Sequence, residues 1–243
     1  MIRLVVGLGN PGKEYERTRH NAGFWLVERF ASANAIVLRK DNKFQALLGR
    51  HEPSGAWLLL PQSFMNASGR AVQMLAGFFK IKPEEILVVH DELDFAPGTA
   101  KIKQGGGIAG HNGLKDISQR LATHDYWRLR LGVGKPPAAM EGADYVLQRP
   151  SAEEREAIDA AIERALAVLP QCLSGDIQSA MQKLHTEDSR PALKKEPEAK
   201  KPPEAKREPS KKEPEAKKPP EAKRQPEKES GFRSSLKSLF GRK

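Results

Sequence analysis

Cysteine and long apolar runs are both scarce in this sequence of 243 residues. Cys172 is its only cysteine, so no disulfide can form within the chain, and this composition fits a reducing compartment. No stretch approaches the ~20 apolar residues that a membrane-spanning helix needs. The apolar run at the N-terminus meets glycine at Gly7, which is too early for a secretory signal peptide. We therefore expect a protein of the cytoplasm.

Several signatures of enzyme classes are also missing. No serine lies in a Gly-x-Ser-x-Gly turn, and the histidines show neither His-x-x-x-His nor His-Glu-x-x-His spacing. With a single cysteine, the usual ligand patterns for zinc cannot be assembled either. The sequence therefore predicts no metal site and no cofactor.

Positive charge is abundant but unevenly distributed. The formal net charge is +10, yet residues 190–243 alone hold 18 Lys and Arg against 9 Asp and Glu. The residues before them are therefore nearly neutral. A repeat, KKEPEAKKPPEAKR, occurs at 194–207 and again unchanged at 211–224. Because this repeat has no large apolar residue to bury, we predict a disordered Lys/Pro/Glu-rich linker over 188–230.

The last segment, 231–243, has a different character. Its four large apolar residues lie at helical spacing between lysines and arginines. A short basic amphipathic segment is typical of contacts with anionic membrane or with a partner. The repeat before it favours nonspecific affinity for RNA or ribosomes. A solvated tail that only aids solubility remains an alternative.

Strand and helix patterns alternate along the first 187 residues. Short apolar runs predict buried strands at 2–8 and 86–90, and strand-like runs lie at 44–50 and 56–61. Residues 101–103 indicate a short edge strand, and alternation predicts a strand at 127–133. Apolar residues at helical spacing predict helices at 22–33, 67–80, 113–122, 152–169 and 175–185. The alternation predicts an α/β fold: a single globular domain with a mixed, mostly parallel central sheet flanked by helices, followed by a disordered basic C-terminal tail.

A glycine-rich turn follows the first predicted strand. Gly7, Gly9 and Gly12 match the spacing of the dinucleotide-binding fingerprint. That fingerprint needs a helix immediately afterwards to hold the pyrophosphate, whereas residues 13–20 are almost entirely polar. We therefore favour a tight turn over a nucleotide site. The turn is expected to place Asn10 at the carboxyl edge of the sheet, where ligands of α/β proteins bind.

His20 ends the polar loop, just before a predicted helix. Histidine titrates near neutral pH, which suits a general base, although a lone histidine is more often a surface or capping residue. Asp91 ends a buried strand and is a candidate to orient the imidazole ring. A role as a cap or turn residue is about equally well supported. His90 is expected to point to the opposite face of that strand.

Asn10, Asn66 and Asn112 all lie at loop–helix junctions. Each fits a helix cap or turn, or a donor to a carbonyl oxygen that becomes negative during a reaction. The glycine-rich segment 105–113 is expected to be a mobile gate beside Asn112. His111, within it, is explained as well by a structural role as by a catalytic one. Water activated by histidine is the simplest hydrolytic hypothesis.

Five segments taken together resemble the bacterial-type peptidyl-tRNA hydrolase family. They occur in the family's order and read VGLGNPGKEYERTRHNAG (6–23), PQSFMNASGRAV (61–72), VVHDELDFAPG (88–98), GGGIAGHNGLKDI (105–117) and WRLRLGVG (127–134). The resemblance covers residues 1–187 and implies cleavage of the ester between a peptide and the terminal ribose of tRNA. It implies peptidyl-tRNA as partner, recycling of tRNA from stalled or aborted translation, and no need of a metal. We expect a monomer.

The resemblance also implies roles for the catalytic candidates. His20 matches the family's general base, and Asp91 matches the carboxylate that supports it. Asn10 matches the position that senses the peptide and helps to require a blocked amino end.

Further matches concern substrate binding. The residues expected to contact peptide, water or tRNA are Tyr15, Phe64, Asn66, Asn112, Lys103 and Arg130. Within this set, Tyr15 and Phe64 match positions near the tRNA end, and Lys103 and Arg130 match a proposed clamp on the 5′-phosphate. Ile108 and Ala109 depart from the family's glycine segment, which bears on how mobile the gate is. An RNA-binding module on the same fold, without hydrolysis, is the alternative.

Overall fold

The structure is a computed structural model that describes residues 1–188. Seven strands lie within these residues: β1 (Leu4–Gly7), β2 (Arg39–Asp41), β3 (Ala46–His51), β4 (Ala56–Pro61), β5 (Ile86–Glu92), β6 (Ala100–Gln104) and β7 (Trp127–Gly132). The same residues hold six α-helices: α1 (Ala22–Ala33), α2 (Ser68–Phe79), α3 (Asn112–Leu121), α4 (Gly142–Val146), α5 (Ala152–Ser174) and α6 (Ile177–Asp188).

All seven strands join one mixed sheet in the order β2-β3-β4-β1-β5-β7-β6. The four central strands, β4, β1, β5 and β7, are parallel neighbours. Strand β6 is antiparallel to β7 at one edge, and β3 is antiparallel to both β2 and β4 at the other. Five of the strands therefore run in the same direction, which confirms the mixed, mostly parallel sheet expected from the sequence.

Helices cover both faces of the sheet, as the alternating pattern indicated. On one face, α1, α5 and α6 pack against inward-pointing strand residues such as Val5 and Leu87. On the other face, α2 and α3 pack against the alternate residues, such as Val6 and Val88. Strands β4, β1 and β5 are buried on both sides and read as mostly apolar runs, whereas β7 also carries Arg128 and Arg130.

Helix α1 approaches the sheet unusually closely. A Cβ on Gly7 would lie 2.6 Å from the carbonyl oxygen of Gly23, and one on Gly9 would lie 2.6 Å from the ring of Phe24. Since the first helix begins only at Ala22, no helix N-terminus follows the glycine turn directly. The glycines thus serve the packing of α1 on β1 and do not build a dinucleotide-binding turn.

Some elements differ from the sequence-based expectation. Strand β2 and the short helix α4 were not expected, because three and five residues are too few for a periodic pattern. Helix α5 was expected to end before Pro170 but continues to Ser174. Proline there removes one helical hydrogen bond, and the buried side chains of Cys172 and Leu173 keep the last turns in the core.

The expected linker, 188–230, and the expected amphipathic segment, 231–243, lie outside the described residues, apart from residue 188 itself. No helix within residues 1–188 is long and apolar enough to cross a membrane.

Candidate active site

The carboxyl ends of the parallel strands bring distant polar residues together. Asn10 follows β1, and Asp91 is the penultimate residue of the neighbouring strand β5. His20 occupies a 3-10 turn directly before α1, and His111 precedes α3. Because α1 packs closely on β1, its N-terminal turn carries His20 to the end of β5.

His20 and Asp91 form a buried hydrogen-bonded pair. The Nδ1 atom of His20 lies 2.9 Å and 3.0 Å from the two carboxylate oxygens of Asp91. A carboxylate only accepts hydrogen bonds, so Nδ1 of His20 carries a proton and donates the hydrogen bond to Asp91. In the neutral ring, Nε2 is then the unprotonated nitrogen, which is the arrangement that a general base requires.

A second histidine shares the same carboxylate. The backbone N–H groups of Gly113 and Leu114 donate to Nδ1 of His111 at 3.2 Å and 3.4 Å, so this side chain caps α3. Its other nitrogen, Nε2, must therefore carry a proton, and it donates to Oδ1 of Asp91 at 3.1 Å. His111 thus shares Oδ1 of Asp91 with His20 and also caps the start of α3.

These contacts shift the pKa values of the pair in opposite directions. Burial disfavours ionised Asp91, but its two histidine neighbours outweigh burial and hold its pKa well below the usual range. Burial also disfavours charged His20, yet the charge and hydrogen bond of Asp91 prevail and raise its pKa above 6.5. Asp91 therefore stays ionised at neutral pH and favours a proton on His20.

Asn10 is fixed by three hydrogen bonds. Its amide oxygen accepts from the backbone N–H of Met65 at 2.8 Å. Its own backbone N–H donates to Oδ1 of Asn21, and its carbonyl accepts from Nδ2 of Asn21, both at 2.9 Å. The oxygen of Asn10 is thereby occupied, so its amide N–H groups are the polar atoms left for a ligand.

A cleft of about 530 Å³ opens above these residues. Of the nine candidates from the sequence, the six that line it are Asn10, His20, Phe64, Asn66, Asp91 and Asn112. Tyr15 is not among the lining residues but contacts the Phe64 ring edge-on, with centroids 6.2 Å apart. Apolar groups from Leu93, Val146 and Leu147 complete the lining.

Lys103 and Arg130 lie away from this cleft. They line a separate depression, shared with Trp127 of β7 and Met181 of α6. The Nε of Arg130 donates to Glu92 at 2.9 Å, and its guanidinium lies 4.3 Å from the ring of Phe95. The structure therefore brings the two basic residues together with each other but not with His20.

His90 follows the alternation expected of a strand. Val88 belongs to one core and Val89 to the other, and His90 and Asp91 continue this pattern. At the end of the strand, however, both side chains border the same cleft. Complete burial, helped by the neighbouring His111, lowers the pKa of His90 to about 3, so it is neutral at physiological pH.

The glycine-rich segment is anchored by a buried arginine. The guanidinium of Arg128 donates to the carbonyl oxygen of Gly107 at 2.7 Å and also to that of Gly105. Ile108 and Ala109 follow and line the cleft. The segment is thus held at its start and forms one wall of the site, and its motion as a gate stays a prediction.

Metal binding would compete with the hydrogen bonds already described. His20, Asp91 and His111 each offer one ligand atom, and these atoms lie within 4.8 Å of one another. Both nitrogens carry protons and lie at hydrogen-bond rather than coordination distances from Asp91. In this arrangement the trio orients protons, and a metal would have to displace two of them.

Comparison with known proteins identifies the family to which this site belongs. Residues 4–192 match the family model described as peptidyl-tRNA hydrolase. The chain belongs to the peptidyl-tRNA hydrolase family. It is 52% identical over 195 residues to a peptidyl-tRNA hydrolase of Thiobacillus denitrificans, covering 80% of this chain and 96% of the relative. A relative from Methylococcus capsulatus is 53% identical over 188 residues, covering 76% of this chain and all of the relative.

Solved structures of family members share the fold. The crystal structure of peptidyl-tRNA hydrolase from Acinetobacter baumannii superposes with a TM-score of 0.73 at 43% identity, covering 75% of this chain and 94% of the other. This confirms the fold class and the family resemblance inferred from the five sequence segments.

Two members of the site were not recognised in the sequence. Asn21 was passed over, although it lies directly after His20, and His111 was left undecided. A His-Asn pair before a helix was the available signal in both places, at His20-Asn21 and at His111-Asn112. The partners of these residues lie on other elements, so the signal could not reveal what they bind.

Proposed function

We propose that this protein hydrolyses peptidyl-tRNA, with His20 as the general base. The observation that carries the proposal is the His20–Asp91 pair, which leaves Nε2 of a neutral imidazole at the edge of the cleft. Nε2 takes a proton from a water molecule, and the water oxygen attacks the ester carbonyl carbon. The charge of Asp91 stabilises the imidazolium that forms.

The tetrahedral intermediate then collapses. The bond between the carbonyl carbon and the ribose oxygen breaks, and the imidazolium of His20 returns its proton to the leaving ribose oxygen. The free amide N–H of Asn10 supports a role as donor to the substrate carbonyl, since Met65 already occupies its oxygen. Asn66 and Asn112, exposed in the cleft, are proposed to bind the substrate or the attacking water.

Binding of tRNA is proposed to use two regions. Tyr15 and Phe64 form an aromatic pair beside the cleft, suited to the terminal nucleotide. Lys103 and Arg130 lie together in the second depression, which supports a role in holding the 5′-phosphate. The separation of the two regions fits a substrate whose ester and 5′-phosphate are separate groups.

The test is release of peptide from an N-blocked aminoacyl-tRNA. His20→Ala is expected to reduce kcat by about 10²–10⁴, the usual contribution of a general base. His124→Ala removes an exposed histidine outside the cleft and is the matched control, expected to match the wild type. Full activity of His20→Ala would refute the mechanism. A wild-type protein that binds RNA without hydrolysis would instead favour the binding-module alternative.

Assembly and location are also proposals. His20, Asp91, His111 and Asn10 all come from one chain, which supports action as a monomer. A substrate made by translation supports a place in the cytoplasm. Light scattering of the purified protein and fractionation of cells test these two points.

The basic C-terminal residues are proposed to add affinity for an anionic partner, either ribosomes or anionic membrane. The 18 Lys and Arg against 9 Asp and Glu in 190–243 support this, because phosphate-rich surfaces attract such charge. We propose 1–187 as the catalytic domain, 188–230 as a linker and 231–243 as the terminal contact. Cosedimentation of the full chain and of 1–230 with ribosomes and with liposomes tests this, and equal pelleting would exclude a role for 231–243.

A further inference from the structure

A second surface combines clustered aromatic rings with cations that form no ion pair within residues 1–188. We call it the basic–aromatic patch, and its members are Arg39, Lys43, Phe44, Arg50, Trp57, Phe78 and Phe79. It lies where strands β2, β3 and β4 meet the end of helix α2.

The rings of the patch form a continuous cluster. Trp57 stacks on Phe79 with centroids 4.6 Å apart, and Phe78 meets Phe79 edge-on at 5.0 Å. Phe44 contacts Phe78 at 5.7 Å. Although Phe78 belongs to this cluster, it is 58% exposed. A large aromatic ring that stays exposed to solvent within an aromatic cluster is a feature of interaction surfaces.

The cations stand on the same side of the sheet as the rings. The Nζ of Lys43 lies 3.6 Å from the Phe78 ring centroid, and the Arg50 guanidinium lies 5.5 Å from that of Trp57. Arg50 is directly opposite Trp57 in the β3–β4 pairing, so the two share a face. Arg39 is on this face too, because it pairs with Leu48, two residues before Arg50.

The charge of these cations is not neutralised nearby. Within residues 1–188, Arg39, Lys43 and Arg50 form no ion pair. Asp41 lies in the same stretch, but its carboxylate accepts the backbone N–H groups of Lys43 and Phe44. The chain up to residue 189 is nearly neutral, so this local excess of positive charge is not a general property of the surface.

The patch is remote from the catalytic cleft. Helix α2 begins at Ser68, two residues after Asn66 of the cleft, and ends at Phe79 in the patch. Its twelve residues span about 18 Å at the usual rise of an α-helix. A ligand on the patch is therefore not in the place of the reacting ester.

We propose that the basic–aromatic patch is a binding site for single-stranded RNA. Aromatic rings accept any unpaired base by stacking, and neighbouring Lys and Arg side chains hold the phosphates between bases. Phe78 provides an exposed ring with Lys43 over one of its faces, so a base would stack on the other face, and Arg50 adds charge beside Trp57. This inference does not depend on the hydrolytic activity, because no residue of the patch lines the cleft.

The experiment measures binding of the full chain to a fluorescent oligouridine at several salt concentrations. Phe78→Ala should weaken binding at least about fivefold with an unchanged salt dependence, because stacking is lost but no charge is. Phe78→Tyr keeps the ring and should restore the affinity. The double variant Lys43→Gln/Arg50→Gln should reduce the slope of log K against log salt by up to ~1.4, from ~0.7 for each lost phosphate contact.

A charge-matched control separates the patch from general basicity. Arg17→Gln/Arg149→Gln removes two exposed cations beside Trp25, on the α1 and α5 side, and should leave the affinity as in the wild type. The C-terminal tail is identical in every variant, so its contribution cancels in each comparison. Photo-crosslinking to thiouridine RNA should label the α2 peptide that contains Phe78 and lose this label in Phe78→Ala.

Three results would overturn the proposal. The first is equal RNA binding by the patch and control variants, and the second is crosslinking that maps away from α2. The third is that Phe78→Ala changes self-association but not RNA binding, which would make the patch an interface between copies of the chain. Hydrolysis of saturating N-blocked aminoacyl-tRNA should be unchanged in the patch variants. A chain that binds RNA through the patch but lacks hydrolysis would refute the proposed function alone.

Discussion

Asn21→Ala should lower the free energy of unfolding and the rate of hydrolysis without changing the pKa of the general base, His20. Asn21 is buried, and its amide joins both backbone polar groups of Asn10 at 2.9 Å. Alanine would leave one buried N–H and one buried C=O without partners. Each such group costs about 1–3 kcal/mol, so we expect a loss of roughly 2–4 kcal/mol in the free energy of unfolding if water partly replaces the amide.

The effect on the reaction follows from the position of Asn10. The side chain of Asn10 lines the cleft, and in Asn21→Ala its backbone would lose both hydrogen bonds to the residue that follows His20. A displacement of about 1 Å in a positioning group costs up to ~10²-fold, so kcat/KM should fall between ~10- and ~100-fold. The pH at which activity is half-lost should stay constant, because the Asn21 side chain bonds the backbone of Asn10 and not the His20 ring or Asp91.

Urea unfolding and the peptide-release assay at several pH values measure both effects. Asn34→Ala is the control, since it also removes an amide that donates to a backbone carbonyl, here that of Phe30, but at an exposed position. It should cost less than about 1 kcal/mol and leave the rate unchanged. If Asn21→Ala behaved like Asn34→Ala, the reasoning that Asn21 holds Asn10 in place would be wrong.

Further predictions concern the base, its carboxylate and the packing of α1. Because Asp91 raises the pKa of His20 and only neutral His20 is active, kcat/KM should fall with decreasing pH at a midpoint above 6.5. Asp91→Asn should lower kcat by about 10²–10⁴ and move that midpoint to lower pH, since burial alone lowers the pKa of His20; an unmoved midpoint would contradict it. In urea unfolding, Gly23→Ala should cost about 1–3 kcal/mol because its Cβ would overlap backbone atoms of Leu8, just after β1, and of Val89 in β5, whereas Gly77→Ala, with open space around it, should stabilise α2 by up to ~1 kcal/mol. Equal effects of the two glycine variants would argue against close packing as the constraint.

Much of the fold is local information and was readable in the sequence. Apolar runs predicted β1 and β5, because parallel strands buried on both faces are apolar along most of their length, and alternation of apolar and polar residues predicted β7. Helical spacing predicted α1, α2 and α3 to within a few residues. The order of strands is not local, since it depends on how whole strands and helices pack. Strand β2 and helix α4 are too short to show a periodic pattern, and burial of Cys172 and Leu173 carries α5 past Pro170, so these features emerged only from the structure.

The sequence by itself determined which chemistry is available: histidines just before helices, carboxylates at the end of a buried strand, and no serine in a Gly-x-Ser-x-Gly turn. The five ordered segments determined the family. Tertiary structure alone decided the partners, because His20 and Asp91 are 71 residues apart and meet only where β1 and β5 are neighbours. It also decided that His111 shares the carboxylate and that Asn21 fixes Asn10. These are hydrogen bonds between separate elements, and no periodicity along the chain records them.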